Sequence, residues 1–247
     1  MNGSSQPRYA VYFAPPAESS LWSLAQRWLG RDCERDAMLE PPEVDGWTRE
    51  EIAAVTESPR RYGFHATLKP PFRLAPDLAL RDLHDKLAGF AAGRQAFVAP
   101  PLKVSAIGPF LALTLSQPAP QVQALADAAV KELDELRAPL SQQDLERRLG
   151  KGLTPRQEDY VHRWGYPYVF EEFRFHMTLT GPIQETERRE RLQSQLAALF
   201  RPELGSPVPV GEISLYSQEN SERPFLLVDR FRLATATAGV AQGLVRS

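Results

Sequence analysis

A five-residue phrase occurs twice in this chain, as Phe64-His65-Ala66-Thr67-Leu68 and as Phe175-His176-Met177-Thr178-Leu179. Its wording is an aromatic residue, histidine, any residue, threonine and leucine. Chance produces one such phrase in roughly one chain in a thousand of this length, and the chain has four histidines in all, two of them here. Each copy reads as a strand closed by a proline-bearing turn and followed by a helix. The two copies are read as halves of one site, so a fold for this chain has to bring them together.

The surrounding pattern repeats as well. Residues 9–14 are rich in β-formers and stop at Pro15-Pro16, which predicts a strand. Ser19 or Ser20 caps a helix to about Leu29, closed by Gly30. The stretch to Val44 reads as loop. Thr48 with Glu51 forms a capping box for a helix over 48–56, which leads into a motif strand over 61–69 ended by Pro70-Pro71. A helix over 77–92 follows. Two β-like runs, 102–107 and 110–115, joined by Gly108-Pro109, have hairpin grammar. A helix over 121–136, a second motif strand over 173–180, a helix over 185–200 and strands over 208–216 and 225–233 complete the chain.

Strand, helix, motif strand, helix and strand pair thus occur in the same order twice. The expected fold class is α+β: a duplicated two-lobe fold with pseudo-two-fold symmetry. Each lobe would be an antiparallel sheet with helices on its outer face, and a cleft would run between them. One bilobal domain is expected over 8–233, with halves near 8–109 and 110–233. The polar segment 139–169 breaks the repeat and carries Tyr160, His162, Trp164, Tyr166 and Tyr168. It reads equally as an insertion or lid over a site and as structural padding. Residues 234–247 lack periodicity and read as a frayed tail.

Parity then assigns faces. On the first motif strand Tyr62, Phe64, Ala66 and Leu68 share one face; Arg61, Gly63, His65, Thr67 and Lys69 share the other. On the second, Phe173, Phe175, Met177 and Leu179 oppose Arg174, His176, Thr178 and Thr180. Each strand would bury an apolar face and present a histidine, a hydroxyl and a cation. His84 reads as a surface residue, His162 as structural, and Tyr12 as core.

That equipment suits a phosphodiester. One group must take a proton from the attacking oxygen and another must protonate the departing one. Histidine, with an ordinary pKa near 6.5, serves in either role near neutrality. Threonine hydroxyls can donate to the non-bridging oxygens as charge grows there. His65 and His176 are the catalytic candidates; Thr67, Thr178, Lys69, Arg174, Arg61 and Thr180 are the substrate-binding candidates. The scheme calls for no metal and no cofactor, and no His/Asp/Glu cluster has zinc-like spacing. Cys33 is alone, which excludes an intrachain disulfide and a cysteine-rich zinc site. There is no glycine-rich phosphate loop and no nucleophile elbow.

The residues carrying this reading also resemble a family. The runs Arg61-Tyr62-Gly63-Phe64-His65-Ala66-Thr67-Leu68-Lys69-Pro70-Pro71-Phe72 and Phe173-Arg174-Phe175-His176-Met177-Thr178-Leu179-Thr180-Gly181 are similar to the two-histidine (2H) phosphoesterase superfamily. Their flanking wording resembles a branch of unknown function found in phosphonate-utilisation operons. The resemblance implies opening of a cyclic phosphate, with His65 and His176 as the acid/base pair and Thr67 and Thr178 holding the phosphate. Superfamily substrates include 2′,3′-cyclic nucleotide ends, ADP-ribose cyclic phosphate and 2′–5′ linked oligonucleotides.

The expected function is therefore a metal-independent cyclic phosphodiesterase acting on a small phosphorylated substrate, a cyclic phosphosugar or a nucleoside 2′,3′-cyclic phosphate, in phosphonate metabolism. The alternatives are a non-catalytic nucleotide- or phosphosugar-binding module and an RNA-end 2′,3′-cyclic phosphodiesterase or ligase. A net charge of −2 supplies no global field toward nucleic acid or anionic lipid, so nucleic acid is not the favoured partner and no membrane partner is expected. No signal-peptide pattern and no long apolar run occur, and the expected location is cytoplasmic.

Overall fold

The computed structural model describes residues 6–150 and 152–235. Strand β1 (Arg8–Phe13) leads to helix α1 (Ser20–Leu29). The Ser19 side chain accepts from the Trp22 N–H at its start, and Gly30 closes it at φ 75°. The stretch expected to be loop holds a small ladder, β2 (Arg31–Asp32) with β3 (Ala37–Met38).

Helix α2 (Arg49–Tyr62) begins at the expected Thr48–Glu51 capping box but runs well beyond residue 56, absorbing Arg61 and Tyr62. Pro59 lies inside it and supplies no N–H to the Val55 carbonyl one turn back. Gly181, at the exit of the second motif, donates to that carbonyl instead at 2.6 Å. The helix tolerates its proline because a distant part of the chain supplies the missing donor.

The first motif strand, β4, consequently starts late, at Ala66, and continues through the prolines to Phe72. Pairing with β1 shifts register between Val11↔Lys69 and Tyr9↔Phe72, so no ladder bond is required of Pro70 or Pro71 there. After α3 (Leu80–Ala92) and β5 (Phe97–Ala99) come the hairpin strands β6 (Leu102–Ile107) and β7 (Phe110–Leu115), within the limits the sequence set. Helix α4 (Pro120–Glu132) follows, then a 3₁₀ turn at Asp134–Leu136.

Segment 139–169 forms two helices, α5 (Gln142–Arg148) and α6 (Pro155–Trp164). It has its own small core, in which Tyr160, Trp164 and Tyr166 pack on Val169, Phe170 and Val130 of α4. The second motif strand, β8, is only His176–Thr178. Beyond it the Leu179 and Thr180 N–H groups both donate to the Leu111 carbonyl, which bends the chain away from the ladder. Helix α7 (Thr186–Leu199), β9 (Val208–Val210), β10 (Glu212–Gln218) and β11 (Leu226–Arg232) complete the described chain.

The main sheet has seven strands in the order β11-β10-β1-β4-β8-β7-β6, and every pairing recorded within it is antiparallel. A separate sheet for each half was expected; the structure has one sheet to which both halves contribute. Strand β6, from the first half, pairs with β7 of the second, and β10 returns to pair with β1. The run β1, α1, β4, α3, β5, β6 is matched by β7, α4, β8, α7, β9, β10, with β2, β3 and α2 interposed in the first and α5 and α6 in the second. Corresponding strands occupy mirror positions about the β4–β8 seam, and β5 pairs with β9.

Ala66 and Met177, paired across that seam, are fully buried in a core that includes Phe64, Trp28 and Leu179. The Trp28 indole N–H donates to the Leu179 carbonyl at 2.8 Å, tying α1 to the second motif. Ala234, expected to fray, is held by Ala96 N–H to its carbonyl and by its own N–H to Arg94 O. The rest of the expected tail, from residue 236, lies outside the described residues. Among the described residues no helix is long and apolar enough to cross a membrane.

Candidate active site

The seam between β4 and β8 sets the geometry. Ala66 faces Met177 across it. Continuing that antiparallel register by one residue in each direction sets Thr67 opposite His176 and Thr178 opposite His65. Alternation then puts all four on the face opposite Ala66 and Met177. Exposure agrees: the two apolar residues are at 0%, while His65, Thr67, His176 and Thr178 are each partly exposed. On that extended register each histidine, His65 just before β4 and His176 at the start of β8, lies across from the other motif's threonine.

Both imidazoles are oriented by the same local bond. The His65 Nδ1–H donates to the Gly63 carbonyl at 2.9 Å, and the His176 Nδ1–H donates to the Arg174 carbonyl at 2.7 Å. A carbonyl only accepts, so each Nδ1 carries a proton and each Nε2 is left for chemistry. Gly63 takes φ 77°, and a Cβ there would lie 2.7 Å from Cys33 Sγ and 2.9 Å from Cys33 Cβ. Only glycine fits the turn that aims its carbonyl at His65.

The surroundings of the two rings differ. His65 stacks on Tyr12 with ring centroids 3.7 Å apart and planes 16° apart, and Tyr216 and Tyr62 stand at 6.0 and 6.3 Å. Burial lowers the His65 pKa to about 4; the Gly63 bond opposes that shift and His176 adds to it. His176 instead lines a cavity of about 560 Å³, with Phe110 the nearby ring at 5.9 Å. Thr67 and Arg174 share that cavity, and its wall includes Tyr166, Tyr168 and Phe170.

Of the candidates, the cavity thus gathers Thr67, Arg174 and His176, with His65 and Thr178 on the same face of the sheet beside it. Three others sit elsewhere. Arg61 belongs to the last turn of α2, not to a strand, and its guanidinium donates to the Ser221 carbonyl. Lys69 is 1% exposed, and its ammonium donates to Val130 O and Asp134 Oδ1, each at 3.1 Å. A register shift between Val11↔Lys69 and Tyr12↔Thr67 interposes Leu68, which removes Lys69 from the parity of Thr67. Burial lowers the Lys69 pKa to about 8 against the opposing pull of Asp134. Thr180 is fully buried, and its hydroxyl accepts from the Leu111 N–H at 3.0 Å.

Several site residues had no clear sequence signal. Tyr12, expected in the core, is buried but stacks on His65. Strand parity on 9–14 offered either face for it, and only the register with β4 chooses. Gln157, Tyr166, Tyr168 and Glu172 reach the cavity from the inserted segment and the turn after it; the aromatic clustering of that segment was their one visible sign. Glu172 is tied to Arg156 and Gln157. His84 is exposed and pairs with Asp229, and His162 is exposed on α6. Among the described residues no group of three or more His, Cys, Asp or Glu side chains is placed to hold a metal ion.

Residues 67–226 match the family model described as "Protein of unknown function (DUF1045)". The chain belongs to the DUF1045 family. It is 33% identical over 232 residues to the ribose 1,5-bisphosphate phosphokinase PhnN of Janthinobacterium sp. (strain Marseille), covering 92% of this chain and 51% of that one. It is 38% identical over 201 residues to the protein of the same name from Laribacter hongkongensis (strain HLHK9), covering 81% and 46%. This DUF1045 chain spans about half the length of these curated relatives. Among solved structures it is similar to E. coli LigT complexed with 3′-AMP, at 14% identity and a TM-score of 0.44, covering 92% of this chain and 98% of that one. A crystal structure described as a phosphoesterase is likewise 14% identical, with a TM-score of 0.41 and coverage of 92% and 98%.

Proposed function

We propose that this chain is a metal-independent phosphodiesterase that opens a small cyclic phosphate by two-histidine acid/base catalysis. The observation that carries the reading is the paired arrangement at the seam. Two imidazoles present Nε2 after committing Nδ1 to their own chain, and each lies across from the other motif's threonine. In the proposed reaction one Nε2 takes a proton from water as its oxygen bonds to phosphorus. The bond from phosphorus to a sugar oxygen breaks, and the other imidazolium gives that oxygen its proton. Thr67 and Thr178 donate to the non-bridging oxygens, and Arg174 at the cavity offsets negative charge. Arg61, Lys69 and Thr180 are left out of this scheme, because their polar groups are engaged with the protein itself. The mirrored element order supports a duplicated ancestor with one motif per copy.

The substrate we favour is a cyclic phosphate on a phosphorylated ribose. The relatives that are twice as long are named for a kinase of ribose 1,5-bisphosphate, yet this chain has no Gly-x-x-x-x-Gly-Lys-Ser/Thr run to cradle a nucleotide triphosphate. Hydrolysis of ribose 5-phosphate 1,2-cyclic phosphate at the bond to O2 would leave ribose 1,5-bisphosphate, the compound in that name. A nucleoside 2′,3′-cyclic phosphate is the second reading, favoured by the aromatic wall of the cavity, which offers faces to a base.

A panel of both compounds, followed by ³¹P NMR, tests this. Conversion of either cyclic phosphate to a monoester supports the phosphodiesterase, and the faster one identifies the class. Saturable binding of both with no turnover would make the chain a binding module.

A further inference from the structure

We propose that Tyr12 is a positioning residue that breaks the near-symmetry of the two motifs, making His65 the proton acceptor and His176 the proton donor. The proposal rests on the phosphodiesterase reading above and assigns the roles that this reading leaves open. The two histidines have the same Nδ1 bond and the same spacing to threonine, His65 immediately before β4 and His176 at the start of β8, so the difference between them lies in what packs on each ring.

The register locates that difference. Tyr12 of β1 is the strand partner of Thr67, and the residue of β7 that partners Thr178 is Ala112. A ring thus stands beside the first motif where the second has a methyl group. Tyr12 is 1% exposed and lies nearly parallel to His65 at 3.7 Å, so it covers one face of the imidazole. Phe110, the ring nearest His176, is tilted by 50° at 5.9 Å and covers no face in that way.

The groups recorded around His65 are Tyr12 from β1, Tyr62 from α2, Tyr216 from β10 and His176 from β8. None is a carboxylate. Burial raises the hydroxyls of Tyr12 and Tyr216 well above their ordinary range, so both stay neutral. The face of a tyrosine attracts a cation, but the net effect of burial around His65, to which the stacked ring contributes, is to disfavour the imidazolium. His65 is therefore held neutral, with Nε2 carrying a lone pair, ready to take a proton from water. The second proton transfer falls to His176, which opens on the cavity where the leaving oxygen would depart.

Two measurements on the full chain test this. The first is an NMR titration of the His65 ring, which needs no turnover. In the wild-type protein the midpoint should fall well below 6.5, towards about 4. Tyr12→Leu should raise it by a unit or more, while Tyr12→Phe, which keeps the stacked ring, should leave it within a few tenths. A wild-type midpoint at or above 6.5, or no change in a folded Tyr12→Leu protein, overturns the proposal, and the wild-type value decides even if that variant does not fold.

The second compares a cyclic phosphate with bis(p-nitrophenyl) phosphate, whose leaving group needs little protonation. His176→Ala should lose about 100-fold or more on the cyclic phosphate and less than about tenfold on the activated ester, whereas His65→Ala should lose about 100-fold on both. The reverse pattern overturns the assignment. Wild-type protein inert on both compounds would sink the phosphodiesterase reading and the roles with it, while the titration would still report whether Tyr12 controls His65.

Discussion

Cys33 leaves no room for a side chain at Gly63: a Cβ there would approach its sulfur to 2.7 Å, and the Gly63 backbone already sits at φ 77°. The same residue's carbonyl holds His65 Nδ1 at 2.9 Å. Packing behind the site and aim within it therefore meet in one glycine. Gly63→Ala should lose about 1–3 kcal/mol of stability from strain and overpacking and should also reduce turnover. Urea unfolding with parallel rate measurements checks both; a variant as stable and as active as wild type would contradict the geometry.

Removing either histidine should be enough to stop the reaction. His65→Ala and His176→Ala are each expected to lower turnover of a cyclic phosphate by at least about 100-fold, with far-ultraviolet circular dichroism unchanged. EDTA should leave the wild-type rate as it was. Full activity in either variant, or chelator sensitivity restored by a divalent ion, would overturn the scheme.

Acid should weaken the fold through His65. Its folded pKa, about 4, lies below the ordinary 6.5. Between those values the unfolded chain binds a proton that the folded chain refuses, so stability present above pH 6.5 is lost as pH falls towards 4. In His65→Gln this part of the acid-side decline should disappear. Matching slopes for wild type and variant in pH-dependent urea unfolding would show that His65 is not buried neutral.

Lys69 should matter to the fold and not to the substrate. Its ammonium is taken up by Val130 O and Asp134, and although Val130 lines the cavity, Lys69 itself does not. Lys69→Met leaves a buried carbonyl unpaired and should cost about 1–3 kcal/mol, softened because Arg137 still holds Asp134. The KM of the folded variant should stay within about twofold. A large rise in KM with unchanged stability would return Lys69 to the site.

Arg174 should behave in the opposite way. It is exposed on the cavity, and its backbone carbonyl, not its guanidinium, orients His176. Arg174→Gln should leave stability within about 0.5 kcal/mol and raise KM, most for a substrate carrying a second phosphate. Equal KM values for singly and doubly phosphorylated substrates in wild type and variant would remove it from substrate binding.

Much of this arrangement was legible without coordinates, for local reasons. The Thr48–Glu51 box, the Gly30 stop and the Gly108-Pro109 hairpin are short-range chemistry, and the elements they delimit begin or end where such signals place them. Where α2 stops was not legible, because the helix crosses Pro59 with help from Gly181, more than a hundred residues away. The beginning of β4 moved with it, and that took Arg61 off the strand on which parity had placed it.

From the sequence alone came the pairing of His65-x-Thr67 with His176-x-Thr178, the apolar face behind each phrase and the α+β class, since these follow from composition and from a two-residue period. Tertiary structure alone decided that both motif strands share one sheet, that a register shift removes Lys69 while Thr180 is buried, and that Tyr12 covers His65 where Ala112 leaves the second motif open. Those outcomes depend on which residue of one strand faces which residue of another. Register is a property of the assembled sheet, and a shift of a single residue exchanges what is buried for what is presented.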